Sequence, residues 1–134
     1  MEERMNKQEL IELIKTLKID KNEFTILSSS QLVLRDILET AGDLDIAVTE
    51  KGLEQLNQNY NLKPKGNGWY IVTEKIECVP DDMENKKEKE GEYYLQEINN
   101  YLEYLKTSKR EKDKKRIPLV EKYISEKRWI KWKM

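Results

Sequence analysis

Apolar residues along this chain recur with two periods, and the switches between them divide it into elements. Leu10, Leu13, Ile14 and Leu17 fall at three- and four-residue spacing, which predicts an amphipathic helix over 6–18. Asp20-Lys21-Asn22 breaks that pattern, and 23–27 reads as a short strand. Leu32, Val33, Leu34, Ile37 and Leu38 then mark a helix that Ser28, Ser29 or Ser30 would cap and that stops near Gly42. Leu44, Ile46 and Val48 occur at every second position, which predicts a strand over 44–48. Thr49 is the expected cap of a helix over 50–59, with Leu53 and Leu56 turned inward. Leu62 starts a brief strand, 64–68 is a turn by composition, and 69–73 with 75–79 reads as a tight hairpin around Glu74.

Beyond Val79 the pattern changes. Pro80-Asp81-Asp82 is expected to end the sheet, and the charged run 84–92 to form a solvated loop or a helix start. Tyr93, Leu95, Ile98, Tyr101, Leu102 and Leu105 read as one helical stripe, whose tyrosines imply packing first and a homodimer interface second. A charged connection over 107–116 leads to a last apolar face of Ile117, Val120, Tyr123 and Ile124. The end of the chain mixes Trp129 and Trp132 with lysines, which suits either a docked helix or stacking on nucleic acid. With strands early and helices late, the expected class is α/β or α+β: a small mixed sheet flanked by helices, with further helices at the C-terminal end. A length of 134 residues fits one domain over 1–134, of which 92–134 is helical and basic.

Charge sharpens that division. The net charge is −1, but 106–134 carries twelve Lys/Arg against four Asp/Glu, and 1–105 thirteen against twenty-two. An acidic body with a basic end implies internal electrostatic docking or a phosphate-facing segment. Histidine is absent, which removes a His general base, a Ser-His-Asp triad and a His-ligated zinc site. Cys78, the single cysteine, forms no intrachain disulfide; alternating with Glu77, it should face the core and be inert. The first residues lack the apolar stretch of a signal peptide, and no run nears the roughly 20 apolar residues that span a bilayer. A cytoplasmic protein without a membrane partner is the expectation.

The chemistry concentrates in Gly42-Asp43-Leu44-Asp45-Ile46-Ala47-Val48. Strand side chains alternate, so Asp43 and Asp45 share one face. Two carboxylates held together repel, and a hard cation such as Mg²⁺ relieves the repulsion through its preference for oxygen ligands. For an isolated Asp-x-Asp the simpler reading is a turn residue followed by a solvent-facing one. Glu77 adds a third carboxylate in mid-strand, where a charge is unfavourable unless that face is wet or functional. Upstream, a strand running into Ser28-Ser29-Ser30 puts hydroxyls and backbone N–H groups at a helix start, which suits a phosphate. Helix capping alone is the competing reading of those serines.

Together these residues resemble the nucleotidyltransferase superfamily that includes DNA polymerase beta and the small antibiotic-modifying and toxin–antitoxin enzymes. The family pattern is a hydrophobic residue, Gly and Gly or Ser, then after a gap Asp-hydrophobic-Asp/Glu-hydrophobic. Here Leu27-Ser28-Ser29 precedes Asp43-Leu44-Asp45-Ile46 by thirteen residues, and Glu77 stands where the family places its third acid. Lys109-Arg110-Glu111-Lys112-Asp113 is similar to an Arg-x-Lys-Asp element of some small members. The resemblance implies a metal-dependent enzyme moving a nucleoside monophosphate from an NTP, ATP included, to an acceptor hydroxyl on a small molecule, RNA or protein. It implies Asp43, Asp45 and Glu77 as ligands of two Mg²⁺ ions, with Glu77 also the base. Ser28, Ser29, Lys109, Arg110 and Lys112 would meet the nucleotide; the plainer reading of the last three is a solvated charge run. One departure stands out: Ser28 replaces the family's first glycine, where the backbone approaches phosphate closely. That substitution motivates the alternative of a non-catalytic nucleotidyltransferase-like module in a toxin–antitoxin or defence pair.

Overall fold

The computed structural model describes residues 4–133, and side chains within 4–127. The chain divides into two compact units, 1–96 and 97–134.

The first unit carries a mixed sheet. Strand β1 (Met5–Asn6) leads into α1 (Lys7–Thr16). A capping box starts that helix: the Asn6 side chain accepts from Glu9 N–H, and Glu9 Oε1 accepts from Asn6 N–H. A 3-10 turn (Lys21–Glu23) precedes β2 (Phe24–Ile26) and α2 (Ser28–Leu34). Next come β3 (Thr40–Ala41), β4 (Leu44–Val48), α3 (Glu50–Asn59), β5 (Lys63–Gly66), β6 (Trp69–Thr73), β7 (Ile76–Pro80), β8 (Lys87–Glu90) and β9 (Tyr93–Gln96). Strands β1 and β3 form a small antiparallel ladder; the other seven pair in the order β5-β6-β7-β4-β2-β9-β8. The pairs β4–β7 and β2–β9 are parallel, and β2–β4 is antiparallel. The class is mixed α+β.

The two faces of the sheet have different jobs. Phe24, Ile26, Leu44, Ile46, Val48, Ile76, Cys78, Tyr93 and Leu95 pack with Leu10, Ile14 and Leu17, with Val33 of α2 and with Leu56 of α3 into the main core. The opposite face carries a smaller cluster of Leu27, Ala47 and Met83, with Trp69 and Val79 against it. Thr49 caps α3 as its position predicts, its hydroxyl accepting from Gly52 N–H at 3.0 Å. Gly52 permits a close crossing there, since a Cβ would stand 2.6 Å from the Glu23 carbonyl oxygen.

Four sequence expectations need correction. The serines do not cap α2 through their side chains: its N-cap is Leu27, and the helix ends at Leu34, short of Ile37 and Leu38. The sheet does not end at Pro80, because the charged run contains β8 and is followed by β9. Tyr93 and Leu95 belong to β9 and are buried at two-residue spacing; only the later part of their supposed stripe is helical. Pro64, assigned to a turn, lies in β5, where an edge position tolerates its missing N–H.

The second unit comprises α4 (Ile98–Thr107) and α5 (Glu111–Lys133). Ile98, Tyr101, Leu105 and Val120 are buried. The connection is fixed by Asp113, which is buried and accepts from Ser108 Oγ at 2.6 Å and from Arg110 Nε and Nη2 at 2.8 and 3.1 Å. The side chains of Trp129 and Trp132, singled out in the sequence, lie outside the described residues.

Candidate functional site

Register creates the acidic site. In the parallel β4–β7 pair, Leu44 lies opposite Ile76, Asp45 opposite Glu77 and Ile46 opposite Cys78. A one-residue slip of β4 would send Leu44, Ile46 and Val48 to the other face. Burying a side chain of this kind contributes roughly 1.5–3 kcal/mol, so several such losses outweigh the repulsion between two partly exposed carboxylates. The apolar core therefore holds Asp45 and Glu77 side by side on the face away from it. Asp43 lies just ahead of β4 and, like the other two, is half-buried.

The serine turn is tied to the same place. Leu27 N–H donates to the Asp45 carbonyl at 2.9 Å, and Asp45 N–H donates to Ser30 Oγ at 3.2 Å. Ser30 Oγ in turn donates to the Leu27 carbonyl at 2.8 Å, and the Ser30 side chain is fully buried. Ser30 thus pins the turn to β4. Ser28 has φ +53°. That is left-handed backbone, which glycine adopts freely and a Cβ disfavours. The residue standing in place of the resembled family's glycine is held in a glycine-like conformation.

Glu77 has a partner that the sequence did not disclose. Lys65 Nζ of β5 lies 2.7 and 2.8 Å from its two carboxylate oxygens. The hydrogen bond to Glu77 raises the Lys65 pKa, with further attraction from Glu77, Asp45 and Asp43. Among the described residues no group of three or more His, Cys, Asp or Glu is arranged to hold a metal ion. Asp43 and Asp45 supply the hard oxygen donors that Mg²⁺ favours. Glu77 does not complete that set in this arrangement, since both its oxygens hold the ammonium.

Cys78 is buried on the core face, and burial pushes its thiol up to about 11, as suits an inert packing residue. Of the predicted cationic contacts, Lys109 and Arg110 lie in the α4–α5 connection and Lys112 in the first turn of α5. The Arg110 guanidinium is bound to Asp113. Missing from the sequence reading were Lys65, the pinning role of Ser30, and Arg35. The Arg35 guanidinium is 1% exposed and reaches Glu88 at 2.6 Å, Glu90 at 3.4 Å and the Gln96 carbonyl at 3.0 Å. Only a long-range view reveals these contacts, since Lys65 is twelve residues from Glu77 and Arg35 more than fifty from Glu88.

Compared with known proteins, the chain matches no family model, no curated protein and no solved structure. No helix among the described residues is long and apolar enough to cross a membrane.

Proposed function

We propose that the first unit is a nucleotidyltransferase-like module whose site is the carboxylate face of β4 and β7, and that it moves a nucleoside monophosphate from an NTP to an acceptor hydroxyl. The observation that carries this reading is the Asp45–Glu77 register, with Asp43 before it and the Ser28–Ser30 turn bonded to the Asp45 backbone. Asp43 and Asp45 would hold a divalent cation, which when bound would offset triphosphate charge. Ser28 and Ser29 would meet the phosphates through backbone N–H groups and hydroxyls. Glu77, released from Lys65, would accept the acceptor's proton as its oxygen bonds to the α-phosphorus. The bond from that phosphorus to the β-bridging oxygen breaks, and pyrophosphate leaves.

A second reading is a related module that binds without catalysing transfer. It is favoured by the Lys65 ammonium on Glu77 and by the Ser28 Cβ at a left-handed turn. Incubation with each α-labelled NTP, Mg²⁺ and candidate acceptors separates the two. Label transfer by the wild type that is lost in Asp45→Asn is the expected result. Retention of nucleotide without transfer that Asp45→Asn loses supports the second reading, and retention or transfer that is equal in the two proteins contradicts both.

A further inference from the structure

The helical unit carries an exposed aromatic ring and unpaired cations on one surface. Tyr101 and Tyr104 of α4 stack, with ring centroids 6.1 Å apart and planes 19° apart. Tyr101 is buried, whereas Tyr104 is 48% exposed. The inner ring therefore fixes the orientation of the outer one, and much of the outer ring meets solvent. The Tyr101 hydroxyl accepts from Arg116 Nη1 at 3.2 Å. Lys112 lies one turn before Arg116 on α5 and so shares that strip of the helix, with Lys115 beside it. Arg110 stands near the same rings: the hydrogen bond to Asp113 raises its pKa, and the proximity of Asp113, Tyr104 and Tyr101 adds to the rise.

The acids of this unit are largely committed. Glu111 pairs with Lys114, Glu121 with Lys106 and Glu126 with Lys122, while Asp113 takes both Arg110 and Arg116. Glu97 caps α4 by accepting from Asn100 N–H. Glu103 adjoins Tyr104 in sequence, but neighbours one residue apart on a helix do not face each other. Among the described residues, Lys109, Lys112 and Lys115 are exposed and hold no ion pair. Lys112 also sits in the first turn of α5, where the helix dipole disfavours a cation. Stability alone does not account for such a cluster.

A pre-oriented ring beside unpaired cations is the chemistry that holds a single nucleic-acid strand: a base stacks on the ring and phosphates meet the cations. A duplex stacks its bases on one another and offers the ring no base face. An acidic peptide would engage the lysines and leave the ring unused. We propose that the α4–α5 pair binds single-stranded nucleic acid, with one base on the exposed face of Tyr104 and phosphates on Lys109, Lys112 and Lys115. Binding here does not depend on the carboxylate face of the first unit.

Fluorescence anisotropy of labelled oligo(dT) and oligo(U), each about ten nucleotides long, measures binding to the full chain across a salt series. Wild type should bind single strands at low salt, with a duplex and poly-glutamate competing weakly. Tyr104→Leu should weaken binding roughly tenfold without changing its salt dependence, and Tyr104→Phe should keep wild-type affinity. Replacing Lys109, Lys112 and Lys115 together by Gln should weaken binding and reduce the slope of log affinity against log salt by about 2. Thermal melts by circular dichroism check the fold of each variant; should Tyr104→Leu melt early, the lysine variant and the competitors still decide. Binding to neither oligonucleotide overturns the proposal. So does a duplex or poly-glutamate that competes as well as a single strand, or unchanged affinity in a folded Tyr104→Leu or lysine variant.

Discussion

Ser28 concentrates the tension between stability and site geometry in one residue. Its φ of +53° places a Cβ where glycine would carry none, and the left-handed region costs an L-residue roughly 1–2 kcal/mol. Glycine removes that strain but loosens the unfolded chain, so Ser28→Gly should raise unfolding stability by about 0.5–1 kcal/mol. Denaturant titration checks this, and a stability equal to or below wild type would contradict it. Asp113 is the second residue with a definite consequence. Burial pushes its carboxyl pKa up, but the hydrogen bonds from Arg110 and Ser108 outweigh that and hold it below the ordinary value. A lowered folded pKa gives stability that is present above the unfolded value and is lost as pH falls through the folded one. The stability difference between wild type and Asp113→Asn should thus be about 1–3 kcal/mol near neutrality. It should stay level down to about pH 5 and shrink below about pH 4, where the free carboxyl takes up its proton. A difference that grows on acidification would reverse this sign.

At the scale of elements, strand β8 shows how a charged segment is made to fold. Lys-Glu-Lys-Glu has little intrinsic reason to pair, yet Glu88 and Glu90 face the buried Arg35 guanidinium, and Lys87 and Lys89 lie over the Tyr94 ring at 4.8 and 5.7 Å. Removing one side of such a pair leaves poorly compensated charge. Arg35→Met should cost about 2–4 kcal/mol and speed amide exchange across 87–90. Unchanged exchange there would show that β8 does not depend on the arginine. The same strand explains where sequence reading fell short. β4 and α3 were legible to the residue because local signals agreed: two-residue alternation, a Thr cap and a clean apolar stripe. β8 and β9 were not, because the partner that makes β8 a strand, Arg35, lies just past α2. Tyr93 and Leu95 also sat close enough to the true helical positions Ile98, Tyr101, Leu102 and Leu105 to be absorbed into them. For the site, Asp43, Asp45 and Glu77 stood out from alternation alone, and their register follows from the core. Lys65 did not, since nothing local marks a lysine in an edge bulge as the partner of a distant glutamate.

Across the whole molecule, charge follows architecture. Residues 1–96 hold thirteen Lys/Arg against twenty Asp/Glu, and 97–134 twelve against six. The sheet unit is the acidic one, and its carboxylate face lies opposite the main core, where charge is affordable only if balanced. Lys65 supplies part of that balance through its ion pair with Glu77. The carboxylate face of β4 and β7 is proposed as a nucleotide site. The most direct measurement is Mg²⁺-dependent retention of labelled NTP at equilibrium by wild type and Asp45→Asn. Retention by the wild type that EDTA removes and that Asp45→Asn loses is the expected result. Retention that is equal in the two proteins, or that is indifferent to Mg²⁺, would contradict it.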